Sequence, residues 1–505
     1  MLGNWTIIET LITSGLSLLA YWLYWRWTHR RMLQLANKVP GPRAWPLVGN
    51  TLLFMANPEE QLNKIEELMK KYGEYVKFWL GPDLNICVKN PADIRYLLTS
   101  NKVNHKGPLY NFMIPFIGQG ILTGGPTWRI HRKLATPSYN KKCVQIFGDI
   151  FNKESEALAR SLRDKDPRAT FDVYFDVVKC TTQCVLQTLM GLSKNDALNV
   201  KRLDEVLLKT QGMYSLIFSK MTRWWLQLPF VYYLTGSAAL EKYFVKVVDE
   251  LTSDIVSKRR RAIKLGAVNE EGMGIVDRYI LDGGLTEHEI KMETFTLFTT
   301  SQEASAKIAS AVLLFLAHLQ VWQEKVYNEI VTVLGHCDDV TEEDVKKLQY
   351  LDMVYKEVLR YLSIAALIQR TVDEEITINT KNVAGKITLP AGTSLVIPIH
   401  DVHRDPRYWD EPHRVKPERF LPENVKKRDP NAFIPFSLGA MDCLGRVYAT
   451  ALVKTLVVRV LRHVHLEADG CLEDLELHVA ISVKFAKGYN LRARPRTVGN
   501  ERSDA

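Results

Sequence analysis

The sequence predicts a mainly helical globule with a little β structure, held behind an apolar N-terminal helix. Three observations carry this. Long stretches repeat apolar residues at three- and four-residue spacing, a few short segments alternate apolar and polar residues, and one apolar run stands alone at the amino end.

The run "WTIIETLITSGLSLLAYWLYW", residues 5–25, contains one charge, Glu9. It is long enough to cross a hydrocarbon core as a helix. Arg26, Arg30 and Arg31 follow it, whereas a cleaved signal peptide carries its basic residues ahead of the apolar run. Trp5 at one end and Trp22, Trp25 and Trp27 at the other match interfacial belts, and the arginines favour a cytoplasmic carboxyl side. Residues 1–30 therefore read as a transmembrane anchor. Next comes "VPGPRAWPLVGN", residues 39–50, where Pro40, Pro42 and Pro46 forbid a helix and stiffen the backbone. Residues 31–50 read as a proline-rich hinge. From 51 to 505 no repeat and no second linker appears, so one domain is expected there.

Within that domain "PEEQLNKIEELMKKY", the stretch 286–319, "YLDMVYKEVLRYL" and "GRVYATALVKTLVVRVLRHV" are predicted helices. "EYVKFWL", "ITINTKNV" and "TSLVIPI" are predicted strands of a minor sheet. The tail "RPRTVGNERSDA" is expected to be solvated.

Composition narrows the function classes without choosing one. Apolar residues at 46% and charged residues at 24% are ordinary for a folded protein. A net charge of +9 suits an anionic membrane or an acidic partner; no DNA-binding motif accompanies it, so nucleic acid is not expected. Seven cysteines without CxxC spacing indicate neither a disulfide framework nor a zinc site. "GQGILTGG" has its third glycine one place late for a dinucleotide loop and lacks a preceding strand, and there is no P-loop.

The segment "PFSLGAMDCLGR", residues 435–446, is the most informative. It places Cys443 where backbone N–H groups and a helix N-terminus converge, which favours a thiolate. Glycines at 439 and 445 lack a Cβ and let backbone approach something flat and bulky. On these residues alone a small buried cysteine remains the bland alternative.

Phe436, Gly439, Cys443 and Gly445 match F-x-x-G-x-x-x-C-x-G, and here the sequence resembles the cytochrome P-450 family of haem-thiolate monooxygenases. Glu357 and Arg360 in "KEVLR" fit that family's E-x-x-R pair, and Arg419 in "PERF" fits the third member of the same buried network. "HRDPRYWDEPHRVKPERF" resembles the segment that leads into the cysteine loop, and Trp128 and Arg132 in "WRIHR" resemble W-x-x-x-R. The resemblance implies the P-450 fold, a triangular helical domain around a buried haem b, with Cys443 as axial ligand through its thiolate. It also implies that Trp128, Arg132 and Arg370 hold haem propionates, a task to which the arginine fork is suited. "IPFS" and "WQEKV" point to the fatty-acid ω-hydroxylase branch.

The family's oxygen-activating helix carries [A/G]-G-x-[D/E]-[T/S]; here the matching residues are Thr300, Ser301, Gln302, Glu303 and Ala304. Glu303 keeps the acid. Ala304 replaces the hydroxyl and Ser305 stands one place on, about 100° round the helix. Glu303 and Ser305 are the expected proton-delivery groups, and Thr300 at the position of a haem-esterifying glutamate predicts no such ester. Met441 replaces the usual basic residue before the cysteine, and Ser363 and Ala366 replace prolines after E-x-x-R.

The resemblance implies insertion of one oxygen atom from O2 into a lipophilic substrate, with electrons from NADPH through a separate flavoprotein reductase, at the cytosolic face of the endoplasmic reticulum membrane. A haem-thiolate isomerase or dehydratase acting on a peroxide, and a non-catalytic haem protein that binds small ligands, are the alternatives. Aromatic and aliphatic residues after Gly107 and after Met213 suit an apolar substrate arriving from the bilayer.

Overall fold

The computed structural model describes residues 2–496 apart from 56, 58, 59, 269, 336, 338 and 380–384; the side chains of 2–8 and 11 also lie outside the description. The expected solvated tail therefore falls largely outside the described residues, as do the side chains of Trp5 and of the start of the apolar run. The chain forms two compact units, Met1–Pro108 with Leu367–Pro398, and Leu109–Ala366 with Ile399–Ala505. Helices predominate and the sheets are small, as the periodicity predicts.

In the first unit, helix α1 (Leu2–Thr28) takes in the apolar run. Leu16, Leu18, Leu19, Tyr21 and Tyr24 are all exposed. At 100° per residue they cover every side of the helix, so α1 has no buried stripe of the kind that seats a surface helix on a core. Among the described residues no single helix is long and apolar enough to cross a membrane. Helix α2 (Arg30–Ala36) follows directly. Residues 39–50 form no helix, and the segment is bonded along its length. Trp45 and Gly49 exchange N–H···O bonds of 2.9 Å each way. The Asn50 N–H donates to the Trp79 carbonyl at 2.6 Å, and Asn50 Oδ1 accepts from the Trp79 N–H at 2.9 Å. Gly49 has φ +62°, and a Cβ there would lie 2.5 Å from the Trp79 carbonyl oxygen, so only glycine fits the turn.

The sheet of this unit comprises β1 (Tyr75–Leu80), β2 (Asp83–Val88), β3 (His105–Lys106), β4 (Ile368–Thr371) and β5 (Ser394–Ile397). Their order is β1-β2-β5-β4-β3. Only the β2–β5 pairing is parallel, with Asn85 opposite Ser394. Buried Leu84, Ile86 and Val88 alternate with Asn85 and Cys87, which are buried too, so β2 is covered on both faces.

In the second unit, five helices matter to the site: α3 (Trp128–Ala135), α4 (Leu203–Thr222), α5 (Glu287–His318), α6 (Gln349–Tyr361) and α7 (Arg446–His463). Helix α5 starts at a capping box, in which Thr286 and Glu289 satisfy each other's backbone N–H. It is buried along most of its length and packs on α7 and on the helix Tyr174–Gln187. Its buried Glu293, Glu303 and Lys307 must therefore find partners inside the protein. Strands β6 (Leu477–Val479) and β7 (Val483–Phe485) form a hairpin whose turn carries Ser482 to α5.

Candidate haem-thiolate site

The cysteine loop is a closed turn set at the head of α7. The Cys443 N–H donates to the Phe436 carbonyl at 2.8 Å and the Asp442 N–H to the Gly439 carbonyl at 3.1 Å. Ser437 (φ +62°) and Gly439 (φ +80°) both take the left-handed conformation needed to close it. The Ser437 hydroxyl oxygen is buried there without a hydrogen-bond partner among the described residues.

The Cys443 thiol is solvent-accessible yet lies close among protein atoms. Burial raises its pKa above 9.0; the Gly445 N–H pulls it down, Asp442 raises it, and Arg132 and Arg446 lower it. The predicted convergence of N–H group and helix dipole is thus present, but desolvation outweighs it in the uncoordinated thiol. A Cβ on Gly445 would lie 3.8 Å from Tyr139 Cε1 and 3.9 Å from Cys443 Sγ. Those are ordinary contacts, so no protein neighbour demands glycine at 445. The missing Cβ instead leaves the flank of the thiol clear.

Trp128 and Arg132 stand four apart on one face of α3. Arg132 reaches the residue next to the thiol: its Nη1 donates to the Asp442 carbonyl at 2.8 Å and its Nη2 to Asp442 Oδ1 at 2.6 Å. Arg446 holds the other oxygen of that carboxylate at 2.8 Å. Trp128 is buried beneath Arg129. Arg370 belongs to the first unit, buried on β4, with Nη1 donating to the Gln369 carbonyl at 3.0 Å.

Glu357, Arg360 and Arg419 meet in one buried cluster. Arg360 forks onto Glu357 through bonds of 2.8 and 2.7 Å and donates to the carbonyls of His403, Pro412 and Arg414. Arg419 Nε stands 3.4 Å from Glu357 Oε1. His403, the first residue of the segment that resembles the approach to the cysteine loop, carries this network to that loop. Its Nε2 accepts the Ile434 N–H at 2.9 Å, which leaves Nδ1 protonated toward Ser363 Oγ, also at 2.9 Å. Burial first, then the nearby Arg360 and Arg404, drive its pKa well below 6.5, so the ring is neutral. Ser363, at the position of an expected proline, thereby acquires a hydrogen-bonding task.

On α5 the structure separates the residues that the motif groups. Ser301 faces the thiol side: its Oγ lies 3.0 Å from the Tyr139 hydroxyl, and Tyr139 borders both Gly445 and the field of Cys443. Glu303 is paired with Lys307 at 2.5 Å, both nearly inaccessible to solvent. Gln211 Nε2 of α4 and Ser482 Oγ each donate to Glu303 Oε1 at 3.3 Å, and Lys307 Nζ bonds Ser482 Oγ at 2.5 Å. Ser305 is buried, and its hydroxyl makes no hydrogen bond among the described residues. Lys307 was legible only as a cation four places after Glu303, a spacing that decorates many solvated helices.

A model of the cytochrome P450 family matches residues 39–484. The chain belongs to the cytochrome P450 family. It is 29% identical to human cytochrome P450 4V2, covering 97% of this chain and 96% of that one. Likeness to cytochrome P450 4c3 of Drosophila melanogaster is 27% over 95% and 93%, and to cytochrome P450 4d1 of Drosophila simulans 30% over 87% and 90%. These relatives agree with the ω-hydroxylase branch indicated by "IPFS" and "WQEKV". The P450 is thus a haem-thiolate monooxygenase by family, and its cofactor is haem b with an axial cysteine thiolate. The site's donor set fits. Among the described residues no group of three or more His, Cys, Asp or Glu could hold a metal, so a lone thiol suits an iron whose other ligands come from a macrocycle.

Proposed function

We propose that this P450 is a membrane-anchored monooxygenase that inserts one atom of O2 into a lipophilic substrate, the other leaving as water with two protons and two electrons from NADPH by way of a flavoprotein reductase. The observation that carries the reading is the Cys443 loop, closed by its own N–H and tied through His403 to the Glu357–Arg360 network. Bound there, haem b would supply the activation of dioxygen. Cys443 would hold the haem through its thiolate, with Phe436, Gly439 and Gly445 shaping the loop. Trp128, Arg132 and Arg370 would hold the propionates. Glu303 is the acid of the proton path and Ser305 the neighbouring hydroxyl; Lys307 must release the carboxylate for a proton to move. The all-round apolar surface of α1 supports a membrane anchor, and the arginines after it support a cytosolic face on the endoplasmic reticulum.

The deciding experiment is the carbon monoxide difference spectrum of the reduced protein. The wild type shows the red-shifted Soret band of thiolate ligation and Cys443→His loses it; a wild-type spectrum like that of a histidine-ligated haem would overturn the assignment.

Ala304 and the Glu303–Lys307 pair favour one second reading, rearrangement of a lipid hydroperoxide, which needs neither reductase nor proton delivery. Monooxygenation predicts that Ala304→Thr raises product formed per NADPH consumed and that Glu303→Ala lowers it, since a positioned acid–base group contributes on the order of a hundredfold. Lower coupling in Ala304→Thr, with reductase-free turnover of a hydroperoxide, selects the second reading.

A further inference from the structure

Where α1 meets the proline segment, the first unit forms a half-open cavity of about 250 Å³. Its walls include four indoles, Trp22 and Trp25 of α1, Trp45 of the proline turn and Trp79 of β1, together with Arg26 and Leu47. The cavity is a built feature. Trp25 and Trp79 meet edge to face at 5.6 Å, and His29 stacks on Trp25 at 4.7 Å. The Trp45–Gly49 turn that forms its rim holds Leu47 at φ +63°, a conformation that branched and bulky residues rarely adopt.

The lining is rich in donors and has no anion. None of the four indole N–H groups has a hydrogen-bond partner among the described residues, although Trp322 and Trp409 elsewhere donate theirs. The Arg26 guanidinium lies over the Trp22 ring at 4.9 Å and pairs with no carboxylate among the described residues. No Asp or Glu lines the cavity. Unpaired indole donors and one cation over an apolar floor are complementary to a group rich in acceptors, negatively charged and joined to hydrocarbon. The arginine weighs against a quaternary ammonium, which the indole faces alone would otherwise suit.

We propose that this cavity binds a membrane glycerophospholipid, with Arg26 and the indole N–H groups on its phosphodiester and ester oxygens and its chains along the apolar wall. The inference rests on the reading that α1 lies in the bilayer, which sets Trp22, Trp25 and Arg26 at headgroup depth. It assigns the proline segment a purpose beyond connection: the turn supplies one wall of a lipid site.

The test uses the full chain, purified from membranes in a phospholipid-free detergent. Phosphorus analysis and native mass spectrometry then count bound phospholipid. The wild type retains about one phospholipid per chain, and Arg26→Met weakens rebinding of a short-chain phosphatidylglycerol at least about tenfold, as loss of a charge-assisted bond does. Trp45→Phe, at an exposed site, keeps the ring but not the donor and weakens binding less. Inorganic phosphate does not compete at millimolar concentration; competition by it would show an anion site and overturn the lipid assignment. Equal phospholipid in the wild type and both variants, each with an intact carbon monoxide spectrum, would also overturn it. Retention on membranes after alkaline carbonate is measured alongside: loss of retention in the wild type refutes the anchor reading, whereas retention with unspecific lipid refutes only the cavity.

Discussion

Helix α5 carries two buried carboxylates ten residues apart, and the protein stabilises them in different ways. Glu293 accepts from His131 Nδ1 and from the Ile121 N–H, both at 2.8 Å, with Glu289 Oε1 behind at 3.6 Å from His131 Nε2. Glu303 is answered by Lys307 at 2.5 Å, within the same helix. The first pair joins α5 to α3, the helix of Trp128 and Arg132, whereas the ion pair of the second lies within α5, with Gln211 and Ser482 bonded to it from outside. Gly120 shows how tight the first is: a Cβ there would meet Glu293 Oε1 at 1.7 Å. The difference teaches that one helix can hold one acid as a tie between elements and another as a neutralised group beside the residues expected to move protons.

Breaking the second pair should have the largest effect. Lys307→Met leaves Glu303 charged and unpaired in the core and should cost about 3–5 kcal/mol of stability, read from the denaturant midpoint. Glu303→Gln combined with Lys307→Met should recover most of that loss; if it does not, Lys307 matters for more than its charge. Glu293→Gln should cost less, about 1–3 kcal/mol, because an amide oxygen can still accept the Ile121 N–H. Its signature is a loosened α3, seen as faster amide exchange there and not in the turn at Ser482.

A pH series sharpens the contrast further. Burial alone would lower the His131 pKa, but the hydrogen bond and charge of Glu293, with Glu289 adding to them, raise it above 6.5. A raised pKa means that the fold prefers the imidazolium. Its contribution is complete below 6.5 and is lost as pH rises through the higher folded value. The melting temperature of the wild type should therefore fall over that window, and the fall should be absent in His131→Gln. A slope that survives in the variant would place the titration elsewhere. Gln211→Leu should have the smallest effect, about 0.5–1.5 kcal/mol, because it removes one 3.3 Å bond from Glu303 and leaves Lys307 in place.

Much of the site was legible because its residues are set by chemistry that spacing reveals. Cys443 with its glycines, Glu357 with Arg360, and Trp128 with Arg132 each lie within one turn or loop, and the helix 286–319 emerged almost residue for residue as Glu287–His318. What stayed hidden depends on distant chain. A lysine four places after Glu303 reads as a solvated pair until the β6–β7 turn and α4 cover it. His403 heads a recognisable segment, but its link to Ile434 exists only after the loop has folded back. Arg132 was assigned to a propionate, and the structure gives it Asp442, whose neighbour Cys443 masked it in the motif. The prolines at 40, 42 and 46 excluded a helix; the destination of the remaining backbone bonds, at Trp79, was invisible until β1 was placed.

The sheet of the first unit also has a consequence for synthesis. Strand β2 ends at Val88, and its parallel neighbour β5 starts at Ser394. At about 5–20 residues per second, a ribosome takes roughly 15–60 seconds to supply that neighbour. Throughout that interval the N-terminal helix and the β1–β2 ribbon have left the exit tunnel with Leu84, Ile86 and Val88 uncovered and one strand edge unpaired, which is the geometry that invites association with other nascent chains. Chains that stop before residue 394 cannot complete this unit, however well their own helices form, so premature termination should produce aggregates seeded from the amino end.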